Sequence, residues 1–427
     1  IIKLICEVIL EIAVIGSGIS GLSTSLFLSK KNNVTLYEKN NYLGGHTNTK
    51  TIKYKDKRIN VDTGFIVFNK LNYPNLIQLF DFHNIAYEDS DMSLSVSNIN
   101  NDIEWSGKNI NTIFADRKRI FDINFLKFLI DILKFNKFVK NNIHELSLDK
   151  QSLGEWLNNK NFSEQFQENY ILPMSAAIWS MNFNDVLNYP ISSLFSFFNN
   201  HRLLHEKKLR PQWLTVSNGS KSYIDKILKS VNINKKLNSK IQKITTNDNK
   251  FSLIDINGNQ KEYDKIIFSI HPEKILEIKN DFDSKIINIL NLFKTSKNKA
   301  YLHCDSSLMP KNRKVWSSWN VFSNKDIGKV SLTYWMNKLQ NIDNKYPIFV
   351  TLNPLHLPDK DKIFEIIDYE HPIYDKNAIN GQLQLNNIQG YKDYWYCGAW
   401  TGNGFHEAGL SSSLLISEHL NGVIPWR

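Results

Sequence analysis

Residues 12–22 read Ile12-Ala13-Val14-Ile15-Gly16-Ser17-Gly18-Ile19-Ser20-Gly21-Leu22, and this stretch decides the fold. Ile12 to Ile15 form an apolar run rich in β-branching, with no polar alternation. Such a run predicts a strand buried on both faces, as in a parallel sheet. Gly16 to Gly21 then fit G-x-G-x-x-G. Leu22 to Lys30 predict a short helix, Val34 to Tyr37 a second strand, and Glu38 ends that strand. A βαβ unit of about 30 residues, with an acid about 20 residues beyond the motif, is what a dinucleotide site requires. Gly16 permits the tight turn, Gly18 lets the backbone approach a pyrophosphate, and Gly21 lets helix and strand pack closely. Ser17, Ile19 and Ser20 complete the loop, and the helix N-terminus offers free N–H groups to phosphates. Glu38 can accept hydrogen bonds from both hydroxyls of an adenosine ribose, with Lys39 beside it. A 2′-phosphate would be repelled there, so NADP is disfavoured.

Six residues beyond Glu38 stands Gly44-Gly45, in the run Glu38-Lys39-Asn40-Asn41-Tyr42-Leu43-Gly44-Gly45-His46-Thr47. This run resembles the extended FAD motif of the flavin amine oxidase superfamily, which also holds phytoene desaturases and protoporphyrinogen oxidases. The resemblance implies that the double glycine passes the pyrophosphate and leads towards the flavin. The residue after it is usually Arg in that family; here it is His46.

Composition fits a folded enzyme-sized protein. The chain has 427 residues, 42% hydrophobic and 12% aromatic, which predicts two or three domains with a large core. The net charge of +10 is read either as a Lys-rich composition or as attraction to an anionic surface such as a membrane. Nucleic acid is not expected as a partner, because the basic residues are scattered among 42 acids and match no recognition motif. Cys6, Cys304 and Cys397 form no C-x-x-C and no disulfide framework, so a reducing, cytoplasmic setting is expected. Ile1 to Leu10 are interrupted by Lys3 and Glu7 and read as too short and too charged for a secretory or membrane segment.

Further along, Thr51 to Tyr54 and Arg58 to Asp62 predict a hairpin, and Pro74 to Asn84 a helix. Phe121, Phe125, Phe128, Leu129, Ile132, Phe135 and Phe138 fall near helical spacing among seven Lys and Arg. Two readings stand: a helix packed on the core, or an interfacial helix at a membrane. Tyr170 to Ser180, containing Trp179, reads either as plain core or as a wall of the substrate cavity. His201 and His205 stand at i, i+4 but lack an H-E-x-x-H context and a third ligand, so no metal is expected. Leu237 to Thr245, Phe251 to Ile256 and Glu262 to Phe268 predict a three-strand meander, turned at Asn257-Gly258. Lys299 to Cys304 alternate as a strand, as do Trp316 to Asn320 and Val330 to Met336. Asp368-Tyr369-Glu370-His371-Pro372 precedes a helix near 377–387. Tyr394 to Thr401, Gly402 to Leu410 and a helix from Ser411 to Leu420 repeat the order strand, glycine-rich loop, helix.

The resemblance extends to these parts and covers nearly the whole chain. It implies an α/β fold: a Rossmann-like, three-layer FAD-binding domain of parallel sheet plus β-meander, with an inserted α+β substrate domain. The implied FAD domain comprises 11–70, 213–275 and 388–427. The substrate domain comprises 71–212 and 276–387, helical over about 113–212. The family implies a backbone contact to adenine near Ile241, and flavin and ribityl contacts from Gly398, Gly409, Leu410 and the aromatic Phe405. The family's acid beyond the strand-end glycine would fall at Ala399 and is absent. Lys299 falls where amine oxidases carry a Lys that holds a water at flavin N5; a surface Lys is the other reading. Trp316 to Asn320, Tyr334 to Gln340, Tyr369 to Pro372 and Phe405 to Leu410 resemble bacterial homologues encoded beside, or fused to, cyclopropane-fatty-acyl synthases. From this follow the expected reaction, hydride transfer from an apolar substrate such as an acyl chain to flavin N5, and a lipid-modifying enzyme as partner. His371 and His406 are the candidate bases, and Tyr369, Phe405 and Trp179 the candidate pocket walls. A non-redox double-bond isomerase and a non-catalytic accessory flavoprotein are the alternatives, with amine oxidation a further one that Phe405, standing in place of a caging tyrosine, weakens.

Overall fold

A computed structural model describes residues 8–247, 250–324 and 328–427. The first seven residues, with Lys3, Cys6 and Glu7, lie outside the described residues. Five parallel strands form the central sheet, in the order Asn234–Lys236, Asn33–Tyr37, Glu11–Ile15, Lys265–Phe268, Tyr394–Tyr396. The apolar run at 12–15 explains why Glu11–Ile15 takes the middle. Ile12, Ala13 and Val14 are fully buried, and alternate residues feed two different cores. Ile12 and Val14 pack with the helices Ile19–Leu28, Lys221–Ser230 and His406–His419 on one face. Ala13 and Ile15 pack with the meander and the helix Ser284–Leu290 on the other. These are the three layers expected.

The meander differs from the sequence reading at its last strand. It consists of Ile241–Asn247, Lys250–Asp255 and Gln260–Tyr263, and the chain leaves it at Asp264. The Asp264 amide donates to the Glu11 carbonyl, and the Asp264 carboxylate accepts from the Glu11 amide, both at 2.8 Å. This exchange turns the chain from the antiparallel meander into the parallel sheet.

The second domain is built on a seven-stranded sheet. Its order is Ile363–Ile373, Lys294–His303, Phe349–Leu352, Lys329–Trp335, Trp319–Asn324, Leu94–Asn98, Ile103–Ser106. Helices between residues 110 and 200 pack about Val96, Val321 and Leu332, and the hairpin Thr49–Tyr54 with Lys57–Asp62 packs on the same face further along, about Ala300, Leu302 and Val350. The strand Ile363–Ile373 was not expected, since Asp368 to Pro372 read in sequence only as preceding a helix. It stands at the sheet edge, where a proline's missing N–H costs no ladder bond.

Several boundaries are corrected. Leu76, Leu79 and Phe80 of the helix Pro74–Phe82 are fully buried in the same core as Ile12. Residues of Ser284–Leu290 and Lys376–Gln384 likewise join the meander-side core. The C-terminal helix starts at His406, before Ser411. The helix Ile191–Asn200 ends before His201, so His201 and His205 do not share a helical face.

Candidate functional site: a dinucleotide cleft joined to an aromatic cavity

The three glycines of the loop are each held for a different reason. Gly16 has φ +101°, in the region that favours glycine. A Cβ on Gly21 would sit 1.9 Å from the Gly16 carbonyl oxygen, so the helix can approach the strand only at a glycine. A Cβ on Gly18 would meet nothing within 4 Å; it would project into the open cleft. Ser17 ties the loop to both neighbours. Its amide and hydroxyl donate to Glu38 Oε2 at 3.2 and 2.5 Å, and its carbonyl accepts from the Gly44 amide at 3.0 Å. Glu38 Oε1 accepts from the Asn40 amide at 2.9 Å, and the carboxylate keeps acceptor sites for a ribose. Gly45 lies against Gly18: a Cβ there would come within 3.1 Å of the Gly18 Cα. The double glycine is therefore the second wall of the phosphate groove. Lys39, Ser239, Lys240 and Ile241 line the same end of the cleft.

Beyond the groove the wall is made of imidazoles. His46 stacks on Tyr369 at 5.0 Å and stands 5.3 Å from His371. Burial, and then the neighbouring His371, His271 and His406, keep His46 neutral, so it does not replace the charge of the family's Arg. Burial holds His371 down to about 4, and His271 is lowered by burial as well. His46 Nε2, His271 Nδ1 and His371 Nδ1 are buried and find no partner among the described residues. Three unpaired buried nitrogens lining one cleft are groups that a bound ligand would satisfy.

The glycine-rich loop near the C-terminus closes the cleft. Gly398 has φ +153°, and its amide donates to Ser412 Oγ at 3.0 Å. The loop is pinned by Trp400, whose indole donates to the Ile270 carbonyl at 3.1 Å, and by Gln382, which donates to the Trp400 and Gly402 carbonyls. With Ala399 in place of an acid, this loop offers backbone groups to a ligand. Gly409 and Leu410 do not line the cleft. Gly409 packs against Ser20 and Ile19, where a Cβ would come within 2.8 Å, and Leu410 is fully buried in the core behind.

The structure brings Tyr369, His371, His406, Phe405 and Trp179 to one cleft, and Lys299 stands at its exposed edge. Lys299 is exposed and faces Asp368 at 3.8 Å. The inward residue is its neighbour Asn298, 3% exposed and paired in register with Tyr369. A strand's period of two makes the difference of one residue decisive. Tyr369 is committed too: its hydroxyl meets Thr63 Oγ1 at 2.8 Å and accepts from Asn48 at 3.1 Å. His406 stacks on Phe65 at 3.6 Å, and its Nε2 is shared between the hydroxyls of Thr47 and Tyr223 at 3.0 and 3.1 Å. Burial lowers it to about 3. Of the two candidate bases, only His371 has a nitrogen free.

The groove opens without interruption into an apolar cavity; together they enclose about 1970 Å³. Phe405 stacks on Phe197 at 5.2 Å, and Phe197 meets Trp179 at 4.8 Å and His201 at 3.8 Å. Trp105, Met174, Ile178, Trp319 and Tyr334 continue the lining. Phe197 and His201 were missed in the sequence, where His201 was weighed only against His205. Their own i, i+4 spacing was the available signal.

The parallel sheet and its glycine loop form a Rossmann-like domain. Residues 14–82 match the family described as NAD(P)-binding Rossmann-like domain. No curated protein matches the chain in sequence. Among solved structures, cyclohexylamine oxidase from Brevibacterium oxydans IH-35A superposes with a TM-score of 0.69 at 13% identity, covering 97% of this chain and 100% of that one. Putrescine oxidase bound to putrescine gives 0.68 at 10% identity, covering 97% and 99%. The CLA-producing fatty acid isomerase from P. acnes gives 0.67 at 14% identity, covering 96% and 98%. The chain thus shares the fold of these solved structures over nearly its whole length.

Proposed function

We propose that the protein is an FAD-dependent oxidoreductase that removes two electrons from an apolar substrate, with a lipid acyl chain as the substrate class that fits the cavity. One observation carries this reading: the dinucleotide groove and the aromatic cavity are a single void. The residues present fit FAD. The open side of Gly18, the paired wall of Gly44 and Gly45, and Glu38 would hold the adenosine diphosphate. The unpaired nitrogens of His46, His271 and His371 and the backbone at Gly398 and Ala399 would meet the remainder. FAD supplies a two-electron acceptor at flavin N5. The chain's own residues bind, orient and exclude water. Trp179, Phe197 and Phe405 pack as one apolar wall, and the neutral His371 can accept a proton at Nδ1.

Glu38→Ala is expected to weaken FAD retention about tenfold to a hundredfold, since it removes a charged acceptor from the ribose and frees Ser17. Flavin fluorescence during dialysis measures it, and unchanged retention would place the adenosine elsewhere.

The isomerase reading is the second one, favoured by the likeness to the fatty acid isomerase over 96% of the chain. It would use the same void without net oxidation. Anaerobic mixing of the yellow protein with phospholipid vesicles bearing unsaturated or cyclopropane chains separates the readings. Bleaching of the flavin band supports oxidation. A rearranged double bond with the flavin oxidised supports isomerisation. Bound FAD with neither change supports an accessory flavoprotein beside a lipid-modifying enzyme. A protein that takes up no FAD sinks all three.

A further inference from the structure

The helix Ile123–Asn141 buries Phe125, Phe128, Phe135 and Val139 at 0–1% exposure, which accounts for its packed face. Its opposite face is also apolar. Ile123, Leu126, Ile130 and Leu133 follow spacings of three, four and three, so they form one line along the helix. They are 80, 37, 50 and 69% exposed, and Phe121 just before them is 86% exposed. Single exposed apolar residues are ordinary; a continuous stripe marks a surface that something covers. The helix carries Lys127, Lys134, Lys137 and Lys140 against one acid, Asp131, which is 1% exposed and accepts from the Ser163 amide. The stripe also runs into the cavity: Leu129, Ile132 and Leu133 line it, with Lys137 and Lys140 at the same edge.

We propose that this face docks the protein peripherally on an anionic lipid bilayer and sets the cavity mouth at the bilayer surface. The charge argues for lipid over a second copy of the chain. Anionic headgroups attract the lysines while the stripe enters the acyl boundary. Two copies meeting here would set lysine against lysine, in a chain of net charge +10. Among the described residues no helix is long and apolar enough to cross a membrane, so the contact lies along the surface. The docking rests on the helix face and not on the proposed reaction.

Co-sedimentation of the full chain with phosphatidylcholine vesicles, with and without phosphatidylglycerol, tests it without any turnover. The wild type is expected to pellet with the anionic vesicles and to be released by salt. The triple variant Phe121→Ser/Ile123→Ser/Ile130→Ser touches no cavity residue. It is expected to bind about tenfold more weakly or worse, with its thermal melt unchanged. Lys127→Glu/Lys134→Glu is expected to lose the preference for anionic lipid. A wild type that stays in the supernatant overturns the proposal, as does binding that neither variant weakens. A dimer in sedimentation velocity that the triple variant dissolves would also overturn it, assigning the stripe to a second copy.

Discussion

Gly18→Ala and Gly21→Ala are expected to fail in opposite ways although they stand three residues apart in one motif. At Gly21 the added carbon would meet the Gly16 carbonyl oxygen at 1.9 Å and Ser269 Oγ at 3.0 Å. The first of these is backbone of the turn itself and cannot swing aside. The helix would have to lift from the sheet where Ile19, Leu22 and Leu26 are buried. A loss of about 3 kcal/mol or more follows, read as a lowered urea midpoint in the apo protein. At Gly18 the backbone has φ −63°, which alanine adopts readily, and the carbon enters open space. Apo stability should hold to within about 0.5 kcal/mol. The methyl occupies the groove where a pyrophosphate would approach, so flavin binding should fall by about a hundredfold or more. A Gly18→Ala protein that keeps its flavin would remove the groove from the argument.

Acidification from pH 7 to 4 is expected to unfold the apo protein. Burial holds His201, His303 and His371 down to about 4 and His406 to about 3, against an ordinary value near 6.5. The unfolded chain therefore takes up protons that the folded one refuses. The stability from these neutral histidines is complete above about pH 6.5 and is lost as the pH falls towards 4. Each contributes about 3 kcal/mol over that window, and four together rival the stability of a typical domain, about 5–15 kcal/mol. Asp62 works the other way. Burial lifts it to about 6, so it adds stability as the pH falls from 6 to 4. Asp185 and Glu407 are raised by burial as well, but the buried histidines, with His46 and His271 also lowered, outnumber them. His303 shows why protonation is resisted. Its Nδ1 accepts the Asp305 amide at 3.0 Å while Nε2 meets Thr351 Oγ1 at 2.7 Å, so a second proton would break a bond inside the sheet. Urea unfolding at pH 7.5 and pH 5 measures the slope, and His303→Gln should reduce it by about one proton. Stability that is flat or rises on acidification would contradict the assignment.

The dinucleotide half of the molecule was legible because its signals are local. The β-branched run, the glycine spacing and Glu38 lie within 27 residues, and each has its own steric or electrostatic cause. The cavity half was less so, because its geometry depends on which way a strand faces. Which of Lys299 and Asn298 is buried cannot be read until Lys294–His303 is paired with Ile363–Ile373, a strand the sequence reading does not contain. Gly409 was drawn to the cofactor by the family pattern, whereas here its missing side chain serves the contact between two helices. Phe405 stands some 200 residues from Phe197 and His201, and no spacing joins it to them.

The order of strands in the parallel sheet governs how the protein can be made. Glu11–Ile15 is synthesised long before its neighbour Lys265–Phe268, and Tyr394–Tyr396, which covers that neighbour's other edge, comes later still. The helix His406–His419, which packs over Ile19–Leu28, is made after all of these strands. During synthesis the nascent domain therefore waits with an unpaired hydrophobic edge, a state that invites chaperones and aggregation alike. A nonsense codon near residue 393 would not yield a shortened but serviceable protein. It would leave the loop at Gly16, encoded far upstream, without the closing strand and helix that pack against its domain.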